Sequence, residues 1–380
     1  MMKNQSRNVV FGGLLVLAIL VANQVQAKSL FGKDTKKQLK EYLTEICDWI
    51  ELSDISGQGA SFGLSEARLV RTLLAGYELL GKDQRYLMAA IRWCDLLAQK
   101  QQALQTLQGN DGEPMDLAES IFAAAALAHG CEYADKRRKK TFLKIVERYA
   151  RTLREGFKED PLGSDQRGSE GWVIQEGSSR GAIGKGFLGG QSVIHSSTAS
   201  TAAGSVLFAQ LYKVTNKRSY RQLAADAIRW LIKSRKLNGE IPAIVEGEMV
   251  SGDSLKVIPH CTEAFQAADY LLNDTDLTSW MLVELNPTVR WLVRSQNERG
   301  LWGRDSEEAV TANIIMFLAW FYQNAETDES IPPMLDPAWK LWLNPVHAQS
   351  FGIFMEKPVT GLIGLATAEM IKPGITFRKR

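Results

Sequence analysis

Apolar side chains recur at spacings of three and four residues along nearly the whole chain, and strand-like alternation is almost absent. That period belongs to helices that bury one face. From Gly63 to Gln102 it predicts a helix over Ser65–Leu80, a turn at Gly81-Lys82-Asp83 and a second helix over Gln84–Gln101. Asp116 to Gly156 and Thr198 to Lys236 repeat the unit, the first with an Ala-rich opening helix, "AESIFAAAALAHG".

The repetition extends to particular residues. "AIRWCDLLAQKQ", "AIRWLIKSRKLNG" and "TVRWLVRSQNERG" place Trp93, Trp230 and Trp291 in one register, which Trp49 in "ICDWIE" shares. Such residues are expected to pack neighbouring helices together. Five hairpins are readable, over 63–102, 115–157, 198–236, 260–296 and 306–343, and two helices remain single, Thr35–Leu52 and Val359–Ile371. An open solenoid would need polar capping repeats at its ends. "KPVTGLIGLATAEMI" is too apolar for that, so the single helices are expected to pair. The expectation is an all-α fold, a single (α/α)6 toroid over residues 28–380, with its sixth hairpin closed by the N- and C-terminal helices.

Two motifs carry a resemblance. "RWLVRSQNERGLW" (Arg290 to Trp302) is similar to the QW motif of the terpenoid cyclases, with Trp291, Leu292, Gln296, Gly300 and Trp302 at matching positions. "HCTEA" resembles the acid motif DCTAE of the oxidosqualene cyclases, but His260 stands where that motif has its catalytic aspartate. The chain thus resembles the (α/α)6 toroid superfamily, which includes six-hairpin glycosidases, several polysaccharide lyases and the terpenoid cyclase toroids. The resemblance implies a fold and leaves the chemistry open. Neither a DDxx(D/E) nor a DxDD motif is present.

The helical pattern fails at the N-terminus. Lys3 and Arg7 precede an uncharged apolar run, Val9 to Ala22, and "VQA" ends at Ala27. Residues 1–27 are expected to be a signal peptide, the run being shorter than the ~20 residues a spanning helix needs. A retained anchor is the alternative. The expected location is periplasmic or extracellular, with no stable membrane insertion after cleavage.

The whole chain has 45 basic and 43 acidic residues. Losing Lys3 and Arg7 would bring it to formal neutrality, so no nucleic-acid partner is expected. "KRRKK" (Lys136 to Lys140) reads as a solvated turn between two helices. Cys47, Cys94, Cys131 and Cys261 are widely spaced and lack a CxxC or a nearby His, which leaves zinc unsupported. Export would permit disulfides, although buried free thiols fit their apolar surroundings. No cofactor and no metal are implied.

In such a ring the inner helices all start at one end, and the loops before them build the mouth of a central cavity. The starts read "LSEAR", "DLAES", "SSTAS", "HCTEA" and "SEEAV", placing Glu66, Glu119, Glu263 and Glu307 or Glu308 in first turns. Acidic residues there complement the helix dipole. Four of them at one mouth would also perturb each other's titration, as glycoside hydrolysis requires. Asp253, His260 and Glu263 share one helix start, and "RGLWGRDSEEA" brings Trp302, Arg304 and Asp305 to the next. Residues 158–194 form the longest loop, a lid or rim carrying Trp172, Glu176, Arg180 and Lys185, and His195 stands just after it, before the third inner helix. Its "GAIGKG" is no phosphate loop, because Ser179 replaces the first glycine and Gly186 the hydroxyl residue.

These residues suit an exported carbohydrate-active enzyme acting on a small-molecule or polysaccharide substrate. A glycoside hydrolase would use Glu263 with Asp305 or Glu66, and a polysaccharide lyase would use His260 as base with a cation such as Arg180. Trp302, Arg304, Trp172, Arg180, Glu119, His195 and Asp253 would contact the substrate. A non-catalytic or isoprenoid-binding toroid is the other reading, and it requires an apolar central cavity.

Overall fold

The computed structural model describes residues 32–53, 64–103, 115–156, 171–188, 191–245, 247–250, 254–298, 300–303, 308–325 and 357–377. The expected signal peptide, Asp253, Arg304, Asp305 and Glu307 lie outside them, as does the second half of the fifth hairpin.

Eleven helices are described: α1 (Lys33–Leu52), α2 (Leu64–Leu79), α3 (Gln84–Ala103), α4 (Leu117–Gly130), α5 (Lys136–Glu155), α6 (Thr198–Thr215), α7 (Arg218–Lys233), α8 (Ser254–Leu272), α9 (Thr275–Arg294), α10 (Glu308–Asn324) and α11 (Lys357–Ile371). Tight turns join the hairpins through left-handed residues, with Gly81 and Lys82 between α2 and α3, Asn216 between α6 and α7, and Asn273 between α8 and α9. Asp135 caps α5 by accepting from the backbone amides of Arg137 and Arg138.

The helices form two layers. Along α4 and α6 nearly every residue is buried, as befits helices covered on all sides, whereas α5 and α7 are amphipathic and bury one stripe. The inner helices pack in the cyclic order α2, α4, α6, α8, α10, α11 and back to α2, so the ring is closed. The N-terminal α1 covers α11 and α2, completing the sixth hairpin. At this seam Gly364 lets α11 approach closely, because a Cβ there would lie 2.4 Å from Thr72 Cγ2. Trp93 and Trp230 are buried, and Trp49 and Trp291 pack against the same core. All four cysteines are free and buried.

Three local expectations are corrected. Helix α8 begins at Ser254, not at His260, and carries Pro259 inside it. Burial of Val257, Ile258 and Pro259 against the core outweighs the backbone hydrogen bond that proline forgoes. The glycine-rich stretch is a β-hairpin, β2 (Ile183–Leu188) against β3 (Gln191–Ser197), extended by β1 (Met115–Asp116). A register shift falls between Gly184 and Gly186, and side-chain-free Gly184 admits the backbone of Ile194. A second hairpin, β4 (Ala243–Val245) and β5 (Glu248–Val250), leans on the first through the Gly247 amide, which donates to the Ser196 carbonyl at 2.9 Å. Lastly, Lys136 to Lys140 lie in the opening turns of α5, not in a turn between helices.

The end of the ring opposite the mouth is closed by the segment after α11. Buried Glu369 accepts from the amides of Gly374 (2.7 Å) and Thr376 (2.9 Å) and from Thr376 Oγ1 (2.6 Å). The turn thus fixed seats Phe377, fully buried, beneath the Arg71 guanidinium at 4.4 Å.

Candidate functional site

Just below the mouth the lumen is bridged by charge. Helices α2 and α8 stand opposite each other in the ring, and Glu263 of α8 reaches across to two arginines one turn apart on α2. Arg68 donates from Nε (3.0 Å) and Nη2 (2.9 Å) to Glu263 Oε1, and Arg71 Nη1 donates to Oε2. The Glu263 side chain has no exposure. Burial alone would raise its pKa, but Arg68 and Arg71 outweigh burial and hold it below the usual carboxylate range.

Phe122 of α4 forms the next layer, 5.9 Å from the Arg68 guanidinium and 5.5 Å from the His260 ring. His260 is partly exposed, yet its Nδ1 is buried without a hydrogen-bond partner. Burial first, then the charge of Arg68, lowers its pKa to about 4, while Glu263 opposes the shift. The imidazole is therefore neutral near pH 7. Glu119 stands one turn before Phe122 on the same face of α4, toward the mouth. It is exposed, and its charge acts on Arg68. Glu119, His260, Phe122, Arg68 and Glu263 make one connected cluster.

Deeper in the ring the wall remains polar. His129 follows Phe122 by seven residues on α4, and Gln266 follows Glu263 by three on α8. His129, Gln210 and Gln266 are buried, and their side-chain nitrogens and oxygens have no hydrogen-bond partner among the described residues. Burial, reinforced by Arg71, pushes His129 down to about 3.

The expected site residues divide accordingly. Glu119 and His260 come together at the mouth, but His260 does so from the second turn of α8. Glu263 is corrected from a first-turn position to the middle of α8, where its carboxylate is fully buried with both oxygens accepting from arginines. Glu66 is buried at the top of α2, where its charge meets Lys100 of α3. Trp172 is buried, and its indole donates to the Gly186 carbonyl at 3.3 Å. Trp302 is buried too, its indole donating to the Leu292 carbonyl at 2.7 Å. Neither tryptophan offers a ring face for sugar stacking. Arg180 lies 3.6 Å from Asp226 of outer helix α7, away from the His260 cluster. His195 is exposed on the rim, where its ring packs over Gly247.

Arg68, Arg71 and Phe122 were not expected. Their signal was present: "RLVR" sets two cations one turn apart on an inner helix, and Phe122 is the one large ring in an alanine run. Among the described residues no cluster of His, Cys, Asp and Glu could hold a metal ion.

No protein-family model matches the sequence, and no curated protein does. Solved structures do match its shape. The GH76A α-1,6-mannanase from Salegentibacter sp. HEL1_6 aligns with a TM-score of 0.54 at 12% identity, covering 89% of this chain and 100% of that one. Cellobiose 2-epimerase from Spirochaeta thermophila DSM 6192 gives 0.58 at 13% identity, covering 89% and 98%. The chain is an (α/α)6 toroid. A polysaccharide lyase gives 0.57 at 13% identity, covering 87% of this chain and 98% of that one. At such identities the likeness carries the architecture and no residue roles.

Proposed function

We propose that this toroid is a carbohydrate-active enzyme whose chemical step is a proton transfer at carbon, with His260 as the base. One observation carries the reading: Glu263 is spent on two arginines, while His260 beside it is neutral and has an unpartnered ring nitrogen. Hydrolysis through Glu263 would need a carboxyl group free to give or take a proton. Abstraction next to a carboxyl or carbonyl group needs a neutral base, which His260 supplies, and a cation for the oxyanion that forms; Arg68, itself paired with Glu263, is the cation whose charge reaches His260.

In a lyase reaction His260 would take the proton from the carbon bearing the uronate carboxyl. The electron pair left behind would form the ring double bond as the bond to the leaving oxygen breaks, and that oxygen would take a proton from water. Glu119, exposed on the same side, suits contact with the leaving oxygen or sugar hydroxyls. The mannanase, epimerase and lyase all act, by their names, on carbohydrates, which supports the substrate class. A lumen walled by Arg68, Arg71, Glu263 and His129 is ill suited to a prenyl or lipid chain. Export through residues 1–27 belongs to the same reading, and N-terminal sequencing of the protein recovered outside the cytoplasm tests it.

The deciding assay offers a panel of neutral and uronate-bearing polysaccharides. It follows three products: new reducing ends, unsaturated uronate and epimerised sugar. The reading expects unsaturated or epimerised product, abolished in His260→Ala. Reducing ends alone, formed as well by His260→Ala as by the parent, would overturn it.

A further inference from the structure

The basic run in the opening turns of α5 is left unexplained by the mouth chemistry. Helix α5 contains nine lysines and arginines against Glu147 and Glu155, although the whole chain is nearly neutral with 45 basic and 43 acidic residues. Cations at a helix start oppose the macrodipole, so helix stability does not account for them. Arg137, Lys140, Lys144, Arg148 and Arg151 follow at spacings of three and four and form one stripe on the outer wall, about one charge per 5.4 Å turn. All five are exposed, and Arg137, Lys140, Lys144 and Arg151 have no acidic partner among the described residues.

The inner helices descend from the mouth, so α5 climbs back toward it, and the stripe runs up the wall to the rim. At its upper end lies a cavity of about 220 Å³, lined by Arg154, Arg180, Gln175, Gln222, Asp226 and Phe208 among others. This is below the ~300–1,000 Å³ of drug-sized sites and suits one sugar residue. Phe208 is backed by the stacked ring of Tyr220 (centroids 6.2 Å apart, 11° between planes). Asp226 is already engaged by Gln222 (2.8 Å), by Arg229 (3.2 Å) and, at 3.6 Å, by Arg180 of the cavity itself. Arg154 has no acidic partner among the described residues, so the cavity favours an anion.

We propose that the α5 stripe and this cavity form a binding surface for an acidic polysaccharide, separate from the mouth: the stripe holds the chain's charges and the cavity one uronate or sulfated residue. No large apolar side chain is exposed on α5, so the surface lacks what would enter a lipid bilayer. A cavity of ring size with amide, carboxylate and guanidinium groups fits a sugar better than a regular phosphate backbone. The site does not depend on what His260 does, and the two ideas can fail separately.

Affinity electrophoresis of the full chain through gels holding polygalacturonate tests it, with neutral mannan as reference. Retardation is expected in polygalacturonate only, and it should weaken with salt. The variant K140E/K144E/R151E should bind roughly tenfold more weakly, three exposed charge contacts together amounting to about one decade. Should that charge reversal disturb folding, the milder K140Q/K144Q/R151Q replaces it, with circular dichroism as the check. Arg154→Ala should abolish binding of a short galacturonate oligomer and leave turnover at the mouth unchanged. Unchanged retardation of the stripe variants, or equal retardation in mannan, would overturn the proposal. Tighter binding to double-stranded DNA or to anionic phospholipid vesicles than to polygalacturonate would overturn the choice of ligand.

Discussion

Glu263→Gln removes the charge at the centre of the ring while nearly keeping its shape. The carboxylate is fully buried and accepts two hydrogen bonds from Arg68, at 3.0 and 2.9 Å, and one from Arg71. In the variant one amide oxygen can satisfy one arginine, and the new NH2 group faces the other. Two guanidinium groups then share a buried space with no anion between them. Removing one partner of a buried ion pair costs about 3–5 kcal/mol, because the remaining charge is left uncompensated. At about 2 °C per kcal/mol, the low end for a chain this long, the melting midpoint should fall by roughly 6–10 °C.

Differential scanning calorimetry and urea unfolding measure that shift directly. Replacing the three groups together, R68M/E263L/R71M, supplies the control, since an apolar substitute for a buried ion cluster is often neutral or stabilising. Recovery of most of the lost stability in the triple variant is the expected result. A Glu263→Gln protein within about 1 kcal/mol of the parent would refute the reasoning, for it would mean the arginines are hydrated and the lumen open at that level.

Other consequences are as concrete. The folded pKa of His129, about 3, lies below its unfolded value of about 6.5, so the unfolded chain takes up a proton that the native chain refuses. Stability is therefore full above pH 6.5 and declines as pH falls toward 3, by on the order of 4 kcal/mol from this group. In His129→Gln the pH dependence of the urea midpoint should lose about one proton of slope over that window. Gly364→Ala would press a methyl group into Thr72, 2.4 Å from Cγ2, and should cost about 1–3 kcal/mol in urea unfolding by prising α11 from α2. Trp302→Phe strips the indole donor from the Leu292 carbonyl and should lower stability by about 1–3 kcal/mol with little effect on substrate binding, whereas a stacking role would raise KM.

Much of the architecture was legible because burial imposes a period. The two leftover single helices, α1 and the apolar α11, announced ring closure, and the repeated tryptophans announced the packing between neighbours. The site was harder to read, and particular residues show why. Sequence rules place acids at helix starts, so Glu263 looked like a first-turn residue once Pro259 was taken as the boundary. Tertiary burial carried α8 through that proline and moved Glu263 from the helix start to a buried position below the mouth. Its partners were hidden for a related reason. Arg68 and Arg71 lie almost two hundred positions away along the chain, and nothing in a local window pairs an arginine on one helix with a glutamate on the helix opposite. The run at Lys136 misled in the other direction. Five cations in a row between two helical patterns looked like a solvated turn, yet the Asp135 cap holds a helix there although cations at its start oppose the dipole. A local rule broken without a local benefit points to a constraint from outside the helix. The partner that would satisfy that constraint is a polyanion lying along the wall, which is why the basic run, dull as a turn, becomes informative once it is known to be helical.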